Sequence, residues 1–444
     1  MKLPMAPPSY SELILKTPAK DFVKILGMKI GPEVEGVYEH WDHLRHLQPP
    51  ADLTSESWWL GIKYARHALY RQLPLTDKAG RPILIAVTDY MLRLLHFLDR
   101  EASGSIRGLD RADSEENQRY LIRSLVEEAM TSSQLEGAST TRQVAKEMLK
   151  SGRKPRDRGE RMIWNNYQAM RQLARWRERP LTPDAIFEMH RVLTAEAIDD
   201  ESAAGRLRRA DEQIEVVDRD GGNVLHRPPP ANELPERLQQ LCDFANGSDS
   251  GGFFHPVIRA IALHFQIGYD HPFVDGNGRT ARAIFYWSML RSGYWLTEYL
   301  SISSALKKAP GQYNRAYLYT ETDDSDLGYF VCHQLAILEK AVDGLREYVA
   351  RKSRDQRLAE TLLKPGSKLA AQLNHRQREI LLHALRDNSQ IYRIADHQSD
   401  QQISYQTARN DLLELVQVGL MKQQKAGKAF IFAPVDDLAD RIQK

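Results

Sequence analysis

Cysteine is almost missing from this 444-residue chain, with only Cys242 and Cys332 present. Two thiols make neither a disulfide framework nor a four-thiolate zinc site, so a reduced, cytoplasmic protein is expected. An excess of either charge is missing too: Lys+Arg 61 against Asp+Glu 59 leaves 61 − 59 = +2. That excludes nucleic-acid binding by bulk charge and leaves only a local basic patch. Long apolar runs are lacking. The longest greasy stretch near the front, Pro82 to Val87, is far too short to cross a bilayer. The start, Met1 to Tyr10, has one Lys and is broken by Pro4, Pro7 and Pro8, so it lacks the apolar core of a signal peptide. No membrane partner is expected. Aromatics are sparse at 8%, but a 42% hydrophobic share is ordinary for a globular chain and excludes a disordered or fibrous one.

Helical spacing dominates what is present. Leu121, Leu125 and Ala129 recur on one face, as do Ile258, Ala262 and Phe265. Alternating strands are few. Gln213 to Val217 and Asn223 to His226 flank the turn signal Asp220-Gly221-Gly222 and read as a hairpin, which the prolines Pro228 to Pro230 end. Boundaries are expected near Gly104 to Asp113 and near Lys364-Pro365-Gly366-Ser367. The expected plan is an N-terminal helical region over residues 1–104, a helical domain over 105–350, a linker over 351–369 and a small module over 370–444. Tyr38, Trp41, Trp58 and Trp59 read as core rather than as a ligand box.

The chemistry concentrates in His271-Pro272-Phe273-Val274-Asp275-Gly276-Asn277-Gly278-Arg279-Thr280-Ala281-Arg282, between two apolar helical runs. Gly276 and Gly278 let the backbone curl so that successive N–H groups face one concavity at the start of a helix, an anion nest suited to phosphates. Arg279 and Arg282 lie three apart on that helix, and two guanidinium forks beside a nest suit a di- or triphosphate. Asp275 opens the nest, where a carboxylate beside a polyphosphate suits Mg²⁺. His271 stands just outside it, with a ring suited to taking a proton from a hydroxyl. A bare Asp-Gly/Asn-Gly turn is the bland alternative. The ordered set weighs against it, having a chance expectation on the order of 10⁻⁸ at equal residue frequencies.

This segment resembles the signature of the Fic (filamentation induced by cAMP) family, HPFx(D/E)GNGRxxR, at every fixed position. The general likeness extends over about Glu115 to Leu345. The resemblance implies a mainly α fold: a Fic-type helical core with a β-hairpin flap. It implies transfer of AMP from ATP to a Ser, Thr or Tyr hydroxyl of a target protein, which could be the chain itself, with Mg²⁺ (or Mn²⁺) as cofactor. On that resemblance His271 is the base and Asp275 the metal ligand. Gly276, Asn277 and Gly278 form the anion hole, and Arg279 and Arg282 hold the outer phosphates. The hairpin from Gln213 to His226 is the flap that clamps the target by strand addition. Tyr313 is a candidate for the adenine pocket and equally for the core. A homo-oligomer stays open.

Upstream, Ser132 and Glu136 stand before Gly137, which reads as a helix C-cap. At the negative end of a helix a carboxylate is disfavoured by a few tenths to about 1 kcal/mol, so Glu136 is either solvated or paired with a cation. The run resembles the family's inhibitory motif (S/T)xxxE(G/N), on a helix expected over about 115–137. The resemblance implies that Glu136 pairs with Arg282, denies it to the γ-phosphate, and in some relatives orients a water that removes AMP.

From His375 to Ala433 the pattern is three helices, then strands at Leu420 to Gln424 and Ala429 to Ala433 around a Lys425-Ala426-Gly427-Lys428 turn. Ser404 caps a helix to Val418 whose buried stripe is Ala408, Leu412 and Leu415. This resembles a winged helix-turn-helix. If it binds DNA, Tyr405, Gln406 and Arg409 face the major groove, with Lys422, Lys425 and Lys428 near phosphates. A nucleotide-sensing, DNA-binding transcriptional regulator is therefore the competing function, and winged helices also serve protein contacts.

Overall fold

Helices carry most of the chain in this computed structural model, which describes residues 2–50, 52–103, 115–218, 222–248, 252–362, 372–386, 390–426 and 429–443. Two compact units are present, one containing the N-terminal residues and Asn117–Asp343, the other containing Gly344 onward. Both expected boundary segments lie outside the described residues, as do Asp220 and Gly221 of the flap turn and Gly427 and Lys428 of the later turn. No helix among the described residues is long and apolar enough to cross a membrane.

In the first unit, α1 (Tyr10–Lys16), α2 (Ala19–Gly27), α3 (Trp41–Leu44) and α4 (Ser55–His67) pack around Leu44, Trp59 and Ile62. Tyr38, Trp41, Trp58 and Trp59 are all buried. Next comes an antiparallel pair that the sequence reading did not anticipate, β1 (Tyr70–Thr76) and β2 (Pro82–Ala86). Asp77 builds its turn by accepting the N–H groups of Ala79 and Arg81. Pro74 and Pro82 mask the strands in the sequence, because proline removes a ladder donor. Lys63 and Arg66 of α4 are buried against the far end of the unit. Lys63 donates to Asp323 at 2.8 Å, and Arg66 donates to Tyr329 at 2.6 Å.

After α5 (Asp89–Ala102) come α6 (Glu115–Leu135), α7 (Arg142–Ser151), α8 (Arg158–Trp176) and α9 (Pro183–Thr194). The hairpin β3 (Val216–Val217) with β4 (Val224–His226) precedes α10 (Leu234–Asn246), α11 (Pro256–Asp270) and α12 (Asn277–Arg291). The ladder is shorter than expected. Its register shifts between Val216 and Val217, leaving Gln213 to Glu215 outside it. The helices α11 and α12 pack along each other, buried over most of their lengths, with α8 and α9 against α12 and α10 against α11. Then follow α13 (Ile302–Lys308), α14 (Pro310–Thr322) and α15 (Gly328–Leu362). The α15 helix runs through much of the segment expected as a linker, because residues 345–362 hold helix formers and no Gly or Pro.

The second unit holds α16 (His375–Arg386), β5 (Tyr392–Arg393), α17 (Ile394–Gln401), α18 (Tyr405–Gln417), β6 (Met421–Ala426), β7 (Ala429–Pro434) and α19 (Leu438–Gln443). Its three-stranded sheet has the order β5-β7-β6, all antiparallel. Ser404 caps α18 by accepting the Thr407 N–H, and Ala408, Leu412 and Leu415 are buried beneath it. Buried Asp411 ties the helices together, accepting from Asn374, Arg376 and His397.

Candidate active site

The connection from α11 to α12 is pinned at both ends by left-handed residues. His271 caps α11 at φ 42, and Gly276 precedes α12 at φ 81. A non-glycine residue held there costs about 1–3 kcal/mol, strain that tends to gather at functional sites. Gly276 is required for space as well: a Cβ there would come within 2.7 Å of Thr194 and 3.2 Å of His190. Asn277 closes the loop with its side chain, accepting from the Phe273 N–H and donating to the Phe273 carbonyl. Its own N–H is one of the unpaired donors at the start of α12.

The His271 ring has its proton assigned by its neighbour. Nδ1 lies 2.5 Å from the Gly268 carbonyl, an acceptor only, so Nδ1 carries the hydrogen and Nε2 keeps a lone pair. Burial pushes this imidazole down to about 4, against the raising effect of that hydrogen bond, so at neutral pH it is an unprotonated base. Arg208, absent from the sequence expectations, holds the main chain here. Its guanidinium donates to the carbonyls of His271 (2.8 Å) and Pro229 (2.5 Å), and its N–H donates to that of Pro272. His226 of β4 bonds the Tyr269 carbonyl at 2.6 Å and Glu321 at 2.8 Å.

Asp275 is already paired. Its carboxylate accepts from Arg158 and Arg279, each at 3.1 Å, and from the Gly276 N–H at 2.5 Å. Arg279 differs from its expected place at the phosphates. Its side chain is 0% exposed beneath the loop, where it also donates to the Leu193 carbonyl, and burial lowers its pKa. Arg282 is where the upstream motif meets the nest. Its Nε donates to Ser132 Oγ at 2.8 Å, and Nη2 donates to the Ser132 carbonyl at 3.0 Å and to Glu136 Oε1 at 2.9 Å. Burial works against the Arg282 charge, but Glu136 beside it leaves its pKa raised.

Glu136 lies just past the end of α6, in a cap where Ala138 N–H returns to the Ser133 carbonyl and Gly137 takes φ 100. Its Oε1 occupies the space where a Cβ on Gly278 would go. A carboxylate oxygen therefore rests over the nest and against Arg282. One turn before Ser132, Glu128 anchors the same helix. Only 1% exposed, it accepts from Ser301 Oγ, the Ser303 N–H and Ser303 Oγ at 2.5–3.0 Å. Tyr313 of α14 bonds His264 at 2.8 Å and stands among Tyr317, Phe330 and His264, partly exposed. His264 is pushed by burial down to about 3.

Residues 180–289 match the Fic/DOC family. Over 114 residues the chain is 34% identical to a protein adenylyltransferase Fic from Drosophila willistoni, covering 26% of this chain and 20% of that protein. It is likewise 34% identical to one from Nematostella vectensis, again over 26% of this chain and covering 24% of that protein. The chain thus spans about a fifth to a quarter of the length of these relatives. The crystal structure of a Fic family protein from Desulfovibrio desulfuricans G20 is similar at TM-score 0.51 and 18% identity. That likeness covers 79% of this chain and 97% of that one, and it shows the fold alone.

Proposed function

Because residues 180–289 form a Fic/DOC domain, we propose that the chain is a protein adenylyltransferase restrained in cis by Glu136. A target Ser, Thr or Tyr oxygen attacks the α-phosphorus of ATP as its proton passes to His271 Nε2. The new P–O bond forms while the bond to the bridging oxygen breaks, and pyrophosphate leaves. Backbone N–H groups of Asn277 and Gly278 receive phosphate oxygens, whereas that of Gly276, expected among them, is engaged by the Asp275 carboxylate and shapes the turn instead. Arg282 takes the outer phosphates once Glu136 withdraws. Arg279 adds charge from beneath through Asp275, and Tyr313 borders the base. The catalytic contribution is positioning and fixed charge.

The observation that carries this reading is Glu136 Oε1, an anion on the nest and 2.9 Å from Arg282. Among the described residues no three His, Cys, Asp or Glu side chains cluster to hold a metal ion. Asp275, with 33% of its side chain exposed, still fits Mg²⁺, which takes one or two carboxylates and completes its shell with water and phosphate oxygens. Asp275 would hold the ion, which would neutralise phosphate charge. The test is the Glu136→Gly variant with ATP labelled in its α-phosphate. Label should appear on protein, including the enzyme itself; an unlabelled, folded variant would refute the reading. A pre-modified target reports the opposite activity, removal of AMP.

The element order of the second unit supports a second reading, a winged helix that binds DNA. Tyr405, Gln406 and Arg409 are exposed on α18, whereas Lys422 is engaged with Asp436 at 2.7 Å. A gel shift of the full chain on genomic fragments, lost in Arg409→Ala, would favour it.

A further inference from the structure

His190 is a histidine that neither the motif nor the chemistry above uses. It lies on α9, 1% exposed, and both ring nitrogens have fixed partners. Nδ1 accepts the Gly205 N–H at 2.8 Å. A backbone N–H only donates, so this bond places the ring's hydrogen on Nε2. Nε2 in turn lies 2.8 Å from the Asp275 carbonyl, to which it donates. The ring stacks on Phe273 at 3.8 Å and 13° between planes. Phe273 is itself clasped by the Asn277 side chain. The imidazole thus cannot turn without losing two hydrogen bonds and a stacking contact.

What it holds is one peptide plane. The Asp275 carbonyl and the Gly276 N–H belong to the same rigid unit and point to opposite sides of it. With the carbonyl drawn toward α9, the Gly276 N–H is directed away, onto the Asp275 carboxylate at 2.5 Å. Turning that plane over would release the carboxylate and rotate the N–H that leads into the nest. The left-handed Gly276, pressed against Thr194 and His190, makes such a turn open to this residue.

We propose that His190 is a positioning residue, acting through the 275–276 peptide to aim the Asp275 carboxylate and to fix the turn that leads into the nest; this rests on the adenylyltransferase reading. It touches neither nucleotide nor acceptor. The two bonds can be separated. In His190→Gln the amide nitrogen takes the place of Nε2 and keeps the donor to Asp275, while the acceptor for Gly205 is lost. In His190→Asn the amide oxygen takes the place of Nδ1 and keeps the bond from Gly205, while the donor to Asp275 is lost.

Both substitutions are made in the full chain carrying Glu136→Gly. The readouts are AMP transfer, binding of a non-hydrolysable ATP analogue by calorimetry, and melting temperature. The expected result is a similar loss of melting temperature in both variants. Transfer should fall on the order of 10²-fold in the Asn variant, with analogue binding weakened at least about tenfold (roughly 1.4 kcal/mol), and both should be largely restored in the Gln variant. Equal losses of transfer and binding in the two variants would overturn the inference, since a merely structural histidine does not distinguish which bond is kept. Should the parent bind the analogue without transferring AMP, the transfer reading fails and the binding comparison still decides the inference. A folded parent that does neither removes both.

Discussion

Glu136 Oε1 lies 2.9 Å from Arg282 Nη2 and fills the space that any side chain on Gly278 would need. On the proposed reading, the carboxylate stands where a phosphate oxygen would lie with nucleotide bound. Arg282, with 3% of its side chain exposed, keeps Ser132 as a partner but has no water in which to dissipate its charge. Glu136→Gly should therefore lower the stability of the nucleotide-free protein by about 1–3 kcal/mol. ATP should raise its melting temperature more than it raises that of the wild type. Equal shifts in a thermal scan would mean that Glu136 and nucleotide do not compete.

The Glu128 anchor yields a separate test of the brake. Removing a buried carboxylate that accepts from Ser301 and Ser303 should loosen the end of α6 that carries Ser132 and Glu136. Glu128→Ala is expected to raise AMP transfer above wild type while costing a few kcal/mol of stability. Added to Glu136→Gly, it should give no further rise. A gain of equal size in both backgrounds would uncouple the anchor from the brake.

His271→Ala removes the only group assigned to accept the hydroxyl proton. Transfer in the Glu136→Gly background should drop by at least about 10²-fold, the lower end of what a positioned base contributes. Analogue affinity measured by calorimetry should change by less than about threefold. Retained turnover would mean that another group takes the proton.

Stability should depend on pH in one direction. Burial pushes His40, His190, His271 and His333 down to about 4, and His264 to about 3. The folded rings refuse a proton that the unfolded chain accepts near 6.5. Their contribution is therefore intact above about pH 6.5 and drains away as pH falls toward 4. Urea midpoints at pH 7.5, 6 and 5 should decrease in that order, and a midpoint that rises on acidification would contradict these assignments.

The buried pair Lys63–Asp323, each side chain 1% exposed at 2.8 Å, joins α4 to the turn after α14. Lys63→Met leaves the Asp323 carboxylate with Arg66 only at 3.9 Å and Tyr329 at 2.6 Å. A loss of about 3–5 kcal/mol is expected in denaturant unfolding. A loss below 1 kcal/mol would mark the lysine as replaceable by packing alone.

Much of this site is legible in the sequence because its chemistry is local. The nest, its glycines and Arg282 lie within one short run, and periodicity brackets it between α11 and α12. The Ser132–Glu136 spacing brings both residues to Arg282, although the helix ends at Leu135 and Glu136 reaches it from the cap. What stays hidden is contact across long separations. Nothing in the local pattern around His190, Arg158 or Arg208 indicates that each reaches the 271–276 loop from 63 to 117 positions away. Arg279 misleads for the opposite reason. Its spacing from Arg282 is right for a shared face, but the partner waiting at Leu193 turns it inward. The β1–β2 pair escapes notice because its two prolines speak against strands.

Arg208 grips the carbonyl beside the imidazole with one arm and that of Pro229, just past the hairpin, with another. On the proposed reading, a target peptide added along the hairpin would pull on the same guanidinium that holds the His271 carbonyl. Docking of such a target and alignment of the proposed proton acceptor would then be a single mechanical event, and a mismatched chain would find not only a weaker grip but a slower catalyst.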